Sequence, residues 1–462
     1  MRLTILLLLA AALRLYHLDA HGLWFDEMLS VSSACGSIWE EPLGDASGFT
    51  PDDFWAGNSV ARVLEADVAH DGGNGVLYHL LLHGWIRLAG TSDFMVRLPS
   101  LLAGVLAVAL TYVLGLRLTN AGVATWAAFL AATHPLLIRL SQEARPYSMA
   151  IALGLIATLL LVRLLEGRGG NADLVAYGLS GTALALTHYL ATVVLFAHAA
   201  YVIGAPEPAR RGRWRVLGAL AGAALLASLW LPLGGAQGLQ SVRARDRSYR
   251  DRAARSDSAF AQTTTARTLA AGSVQMAAAV SGDSLQDWEI RLSRVSMLLV
   301  LPAVLAAAAW RRRASVERLP GALGLLTVLS VAPIALAFVL AVASGHAVSF
   351  QPRYAAFVAP FTMILLAGGI AAGGTMTRAA LAGQLAVVLA SVASVYADAP
   401  RYRPRNAFPT VAAAARVAAR GSVVHRSWPY ARMVNVYLPP GPDPRQRVRA
   451  RGSAASATSV GP

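Results

Sequence analysis

Arg2-Leu3-Thr4-Ile5-Leu6-Leu7-Leu8-Leu9-Ala10-Ala11-Ala12-Leu13 opens the chain as one basic residue and an apolar run, and Gly22-Leu23-Trp24-Phe25-Asp26-Glu27 follows it. Those two stretches together decide the fold class. An apolar helix that ends beside aromatic residues and two adjacent carboxylates reads as a membrane helix leaving the bilayer at the headgroup level. Arg14, Tyr16 and His17 stand where a signal-peptide cleavage site would need small residues, so the run is expected to stay as a first span.

Composition agrees. The 462 residues are 56% hydrophobic and only 14% charged, with mean hydropathy +0.51, whereas a soluble domain carries about 25% charged residues. Cys35 is the single cysteine, which excludes an internal disulfide framework. Lys and Arg total 40 against 25 acidic residues, a net +15, and all 40 are arginine. They sit in short clusters between apolar runs, a poor match to a nucleic-acid-binding surface and a good one to membrane topology.

A span needs about 20 apolar residues. Candidates fall at 3–18, 97–116, 121–139, 146–163, 172–188, 190–205, 216–233, 293–310, 320–342, 355–373 and 380–397. With the N-terminus inside, the short inner loops collect Arg117, Arg163, Arg168, Arg210, Arg211, Arg213, Arg215, Arg311, Arg312, Arg313, Arg318 and Arg378, the bias expected of cytoplasmic loops. The expectation is an all-α polytopic membrane protein of about 11 spans, N-terminus cytoplasmic and C-terminus extracytoplasmic, in the inner or plasma membrane. Residues 19–96 and 234–292 form long outer regions. Val76–Gly90, apolar but interrupted by His79, His83 and Arg87, reads as an interfacial helix. Residues 398–462 form a short outer segment with room for helices at 409–420 and 429–437, a strand at 422–426 and a disordered tail.

Several polar groups map to the outer side. Asp26 and Glu27 suit either a hydrated boundary pair and helix cap or working carboxylates. Asp71-Gly72-Gly73-Asn74-Gly75 permits a tight turn or close approach to a ligand. His70 and His79 offer phosphate or metal contacts, without compact ligand spacing. In Ser141-Gln142-Glu143-Ala144-Arg145-Pro146-Tyr147, Glu143 and Arg145 either neutralise each other or meet a phosphate. His188-Tyr189 and Arg353-Tyr354 lie at further outer helix ends, where snorkelling or interfacial anchoring is the plain alternative.

Taken in order, Leu23-Trp24-Phe25-Asp26-Glu27 with Ser30, Asn74-Gly75-Val76-Leu77-Tyr78 with Leu81, His83 and Trp85, Arg97-Leu98-Pro99-Ser100, Ser141–Tyr147, Thr187-His188-Tyr189 and Arg353-Tyr354 resemble the GT-C lipid-linked sugar transferases. The nearest branch is that of protein O-mannosyltransferases and lipid A aminoarabinose transferases. The resemblance covers residues 1–397, the expected catalytic domain. Where many relatives have His-Pro-Pro before the Leu-Tyr pair, this chain has Gly73-Asn74-Gly75, which keeps a turn and loses proline rigidity.

The resemblance implies a GT-C-like bundle and a polyprenyl-phosphate sugar donor used on the extracytoplasmic face, with a glycan, lipid or protein hydroxyl as acceptor. Asp26 matches the first acidic residue of the family's motif and is the expected base, with Glu27 beside it. Arg145, Arg353, Glu143, His188, Tyr189, Tyr354, Asn74 and Tyr78 are the expected donor-phosphate or substrate contacts. One base suffices for displacement with inversion. No cofactor is required by this chemistry, and a divalent metal is left open. The competing reading is a secondary transporter or flippase for a lipid-linked or anionic solute, which should carry inverted repeats and discontinuous helices; neither is evident in the sequence.

Overall fold

The computed structural model describes residues 1–20, 22–38, 54–55, 58–204, 212–255, 263–281, 321–346, 350, 352–372 and scattered positions from 375 to 386. The expected span 293–310, all but a few positions of 380–397, and the elements placed in 398–462 lie outside the described residues. Among the described residues the structure is helical, with one isolated bridge between Thr263 and His346.

The helices are α1 (Arg2–Leu15), α2 (Phe25–Cys35), α3 (Val60–Asp71), α4 (Val76–Ala89), α5 (Asp93–Leu118), α6 (Ala121–Thr133), α7 (Pro135–Ser141), α8 (Tyr147–Leu165), α9 (Asn171–Thr187), α10 (Val193–Gly204), α11 (Arg213–Ser228), α12 (Gly235–Arg255), α13 (Ala266–Ser281), α14 (Ala322–Ser344) and α15 (Ala359–Ala372). Four stretches are long and apolar enough to cross a membrane, namely Asp93–Leu118, Tyr147–Leu165, Arg213–Leu233 and Ala322–Ser344, and the bent pair α6–α7 makes a fifth. The apolar helices Tyr189–Gly204 and Ala359–Gly369 are shorter. The chain is an all-α polytopic membrane protein.

The chain forms two compact units. Of the described residues, the larger holds those within 1–16, 100–230 and 242–386, and the smaller those within 17–99 and 231–241. In the larger unit α6 packs against α1 and α15, α9 lies between α8 and α11, and α14 packs against α10 and α15. Helix α6 can be surrounded because it is built from small residues: Ala124, Ala127, Ala128, Ala131 and Ala132 are all buried, and such residues let backbones approach closely. In the smaller unit α2, α3 and α4 pack on one another. Ser59 caps α3 by accepting from the Arg62 amide, and Val63, Ala66 and Asp67 are buried along it.

One expected span departs from its reading. Residues 121–139 do not form one helix but break by 59° between Thr133 and Pro135. Pro135 has no amide hydrogen to continue the ladder and forbids a helical residue before it, and His134 is indeed extended. In lipid the freed carbonyls need donors. Arg14, fully buried, supplies them: its Nη1 donates to Ala132 O at 2.9 Å and its Nη2 to Ala131 O at 3.2 Å, while Nε reaches Ser141 Oγ. Gly104 makes room, since a Cβ there would stand 2.7 Å from Ser141 Cβ. On the other side of the break, His134 Nδ1 accepts from the Leu137 amide. The sequence shows Arg14 only as a residue flanking the first span; the structure makes it the cap of a broken one.

Arg14→Met is therefore expected to lower the stability of the folded protein by about 3 kcal/mol, the cost of leaving buried carbonyls unmet. Thermal unfolding in detergent, read beside the conservative Arg14→Lys, checks it.

Candidate active site

In the smaller unit the first turn of α2 carries Asp26 and Glu27, following the expected boundary sequence. Glu27 is buried and engaged on both oxygens. It accepts from the Trp24 amide at 3.1 Å, closing a capping contact across the helix start. Arg97, from the beginning of α5, grips it bidentately, Nε to Oε1 at 2.7 Å and Nη2 to Oε2 at 2.8 Å. Arg97 also donates to Leu18 O and Gly22 O, so one guanidinium ties α2, α5 and the chain that leads into Trp24. Asp26, one residue earlier, points elsewhere on the helix and is half-buried. The two adjacent carboxylates thus differ in burial: Glu27 is buried and Asp26 half-buried.

Below them α3 and α4 form a second buried polar layer. Asp67 Oδ1 and His79 Nδ1 are 2.6 Å apart with both side chains buried. His70 Nδ1 meets Ser33 Oγ at 3.0 Å, and His83 Nδ1 meets Ala34 O at 2.7 Å. Burial, aided by the charge of nearby His79, pushes His70 down to about 3, so its ring is neutral in the fold. Gly75 has a positive φ, and a Cβ there would come within 3.1 Å of the His79 ring, so glycine is needed where the sequence departs from His-Pro-Pro. Asn74 reaches Asp71 at 3.4 Å, and Tyr78 is buried edge-on to His79. Among the described residues no three His, Cys, Asp or Glu side chains group as metal ligands.

In the larger unit the segment after α7 is folded inward. Gln142 Nε2 donates to Arg14 O and Tyr16 O, fastening the segment to the end of α1. Glu143 pairs with Arg139 at 3.0 Å. Arg145 is buried, with its guanidinium 5.8 Å from the centre of the Tyr147 ring and its carbonyl held by Ser100. Tyr147 leads to His188, 5.2 Å between rings, and His188 to Phe357 at 5.1 Å and Tyr354 at 6.0 Å. The charges of Arg145 and Arg353 both act on His188. His188 Nδ1 is buried with no hydrogen-bond partner. Tyr189 follows in a 3-10 turn, half-buried.

The structure therefore brings Arg145, His188, Arg353 and Tyr354 into one cluster in the larger unit and sets Glu143 two residues from Arg145. Asp26, Glu27, Asn74 and Tyr78 lie in the smaller unit. Sequence reading missed Arg97 as the partner of Glu27, Asp67 as the partner of His79, and Tyr147 and Phe357 as walls around His188. An arginine and an aspartate inside apolar helical stretches were the available signals for the first two, since such charges need partners.

The arrangement can be compared with known proteins. Residues 74–233 match the family model of dolichyl-phosphate-mannose-protein mannosyltransferases. Among solved structures, an oligosaccharyltransferase of Archaeoglobus fulgidus in complex with Zn and sulfate superposes with a TM-score of 0.52 at 15% identity, over 99% of this chain and 59% of that one. ArnT from Cupriavidus metallidurans bound to undecaprenyl phosphate gives 0.50 at 13% identity, over 94% of this chain and 69% of ArnT. The chain has the GT-C fold. Over residues 74–233 it is similar in sequence to the mannosyltransferase family, and the chain spans 59% of the length of the archaeal enzyme. No curated protein matches it in sequence.

Two outcomes follow from the geometry. Arg97→Met leaves Glu27 buried without its cation and is expected to cost about 3–5 kcal/mol, read as loss of monodisperse folded protein and a lower unfolding temperature. For His70 the folded ring binds its proton less readily than the unfolded one, so this term favours the fold fully above pH 6.5 and is lost as pH falls toward 3. Wild type is expected to lose about 2–3 kcal/mol more than His70→Gln between pH 7 and roughly pH 4.5, measured by thermal melts across that range.

Proposed function

We propose that this protein is a membrane glycosyltransferase that moves a sugar from a polyprenyl-phosphate donor to a hydroxyl group of a glycan, lipid or protein, with inversion, on the extracytoplasmic face. The catalytic domain is residues 1–397. The observation that carries the reading is the division between Glu27 and Asp26. Glu27 is buried and held by Arg97 and the helix start, while Asp26 is half-buried in the same first turn.

An acceptor hydroxyl has a pKa far above neutrality, so its attack on the anomeric carbon needs a base in hydrogen-bond reach. Asp26 takes that proton as the new glycosidic bond forms and the bond from anomeric carbon to phosphate oxygen breaks. The leaving group is polyprenyl phosphate, already an anion, and it needs positive charge more than a proton. Arg145 and Arg353 supply it, with Tyr147 and His188 holding Arg145 in a protein-lined setting where its charge acts with little screening. Tyr189, Tyr354, Asn74, Tyr78 and Glu143 are assigned to substrate contact and its support. The bilayer presents the donor, whose chain remains in lipid while its phosphate sits at the headgroup level. A mannosyl donor suits the branch, and the family match and the ArnT likeness support the donor class.

The broken helix α6–α7 is the feature a transporter reading would use, because half-helix ends bind ions in that class. Here the freed carbonyls of Ala131 and Ala132 are occupied by Arg14 and the α7 start by His134, so the break offers no ion site of that kind.

Asp26→Asn is expected to reduce transfer from polyprenyl-phosphate sugars by about 10²-fold or more with normal protein abundance. Arg353→Ala is expected to raise the donor KM. Turnover in reconstituted vesicles, with mass analysis of lipid-linked sugars and surface glycans after gene removal, reads both. Normal turnover by Asp26→Asn removes Asp26 from the base role.

A further inference from the structure

Helix α12 is the most strongly basic helix described. It carries Arg243, Arg245, Arg247, Arg250, Arg252 and Arg255 against Asp246 and Asp251. It begins two residues after the span Arg213–Leu233 ends, so it starts at the membrane boundary. It is fixed there again further along. Asp246 Oδ1 lies 2.7 Å from His346 Nε2, two residues past the end of the span Ala322–Ser344, and Tyr249 packs edge-on to the same ring. Thr264 adds bonds to Ala341 O and Gly345 O, so the segment after α12 is stitched to the same span end.

The tie is electrostatically sound. Burial pushes the Asp246 carboxyl up, but its hydrogen bonds from His346 and Arg250 outweigh that and hold it below the ordinary carboxylate range. A helix anchored at two span ends runs along the headgroup layer and does not project from it. Its docked seam is Asp246, Tyr249 and buried Ala253, and Arg243 and Arg247 on one side and Arg252 on the other are exposed. Asp251 and the Arg250–Asp246 pair offset only part of the charge.

We propose that α12 is a surface-lying anchor that binds the phosphates of anionic phospholipids through Arg243, Arg247 and Arg252. Exposed cations beside a membrane surface attract acidic headgroups, and the guanidinium fork suits phosphate oxygens better than an ammonium does. This departs from the usual placement of arginine in inner loops and gives the departure a physical reason. The inference rests on the spans and not on sugar transfer, and its test needs no turnover.

The test uses the full chain with Ala244→Cys carrying a maleimide fluorophore. Cys35 stays silent because it is buried and burial pushes its thiol up to about 12, against a smaller downward pull from Arg87. The protein is placed in phosphatidylcholine nanodiscs containing a small, equal fraction of phosphatidylglycerol or phosphatidylcholine bearing a nitroxide near the headgroup. Labelled phosphatidylglycerol is expected to quench about threefold more than labelled phosphatidylcholine, and the preference should vanish in roughly 0.5 M salt. It should also vanish in Arg243→Gln/Arg247→Gln/Arg252→Gln; the salt arm stands on wild type if that variant fails to fold. Equal quenching by both lipids, or by neither, overturns the proposal. So does a response to a soluble anionic oligosaccharide with no lipid preference, which would assign the helix to an acidic acceptor.

Discussion

A single guanidinium, that of Arg97, sets the terms for the smaller unit. Taking it and the Glu27 carboxylate out of water is costly, and the cost is offset by the short bidentate pair between them and by bonds to Leu18 O and Gly22 O. Once that pair exists, α2 starts at one residue, and Asp26 is carried to a defined place. A base that is to meet a hydroxyl within a few tenths of an ångström needs such a mount. Glu27 therefore matters to the proposed chemistry through position, and the reactive role passes to its neighbour.

The larger unit answers a different constraint, the absence of water in lipid. Pro135 interrupts a helix where no solvent can satisfy the freed carbonyls, and Arg14 reaches across from α1 to do so. The same economy recurs at His198, whose two ring nitrogens meet Thr158 and Tyr177 between apolar helices. Buried polar groups in this unit are mostly joined into such small closed sets. His188 Nδ1 is an exception, buried in the aromatic cluster formed with Tyr147, Tyr354 and Phe357.

The helices of the membrane were legible because apolar runs and their bounding arginines are local signals. The expected spans at 97–116, 146–163, 216–233 and 320–342 meet Asp93–Leu118, Tyr147–Leu165, Arg213–Leu233 and Ala322–Ser344. The motif residues of the candidate site were legible as chemistry, since a carboxylate pair or an arginine at a helix end is uncommon and invites a role. Their partners were not. Arg97 is 70 residues from Glu27, and Arg14 is 118 from Ala132. No local pattern relates residues that far apart, whereas Glu143 and Arg139, four residues apart, meet within one short segment.

By itself the sequence determined that this chain lives in a membrane, where its helices run, and which residue types stand at their ends, because hydrophobic length and charge act residue by residue. Only the tertiary structure decided which carboxylate is buried and which half-buried, where a span breaks, and which arginine closes the break. Those outcomes depend on directed hydrogen bonds between distant segments, and they exist only once the helices have packed.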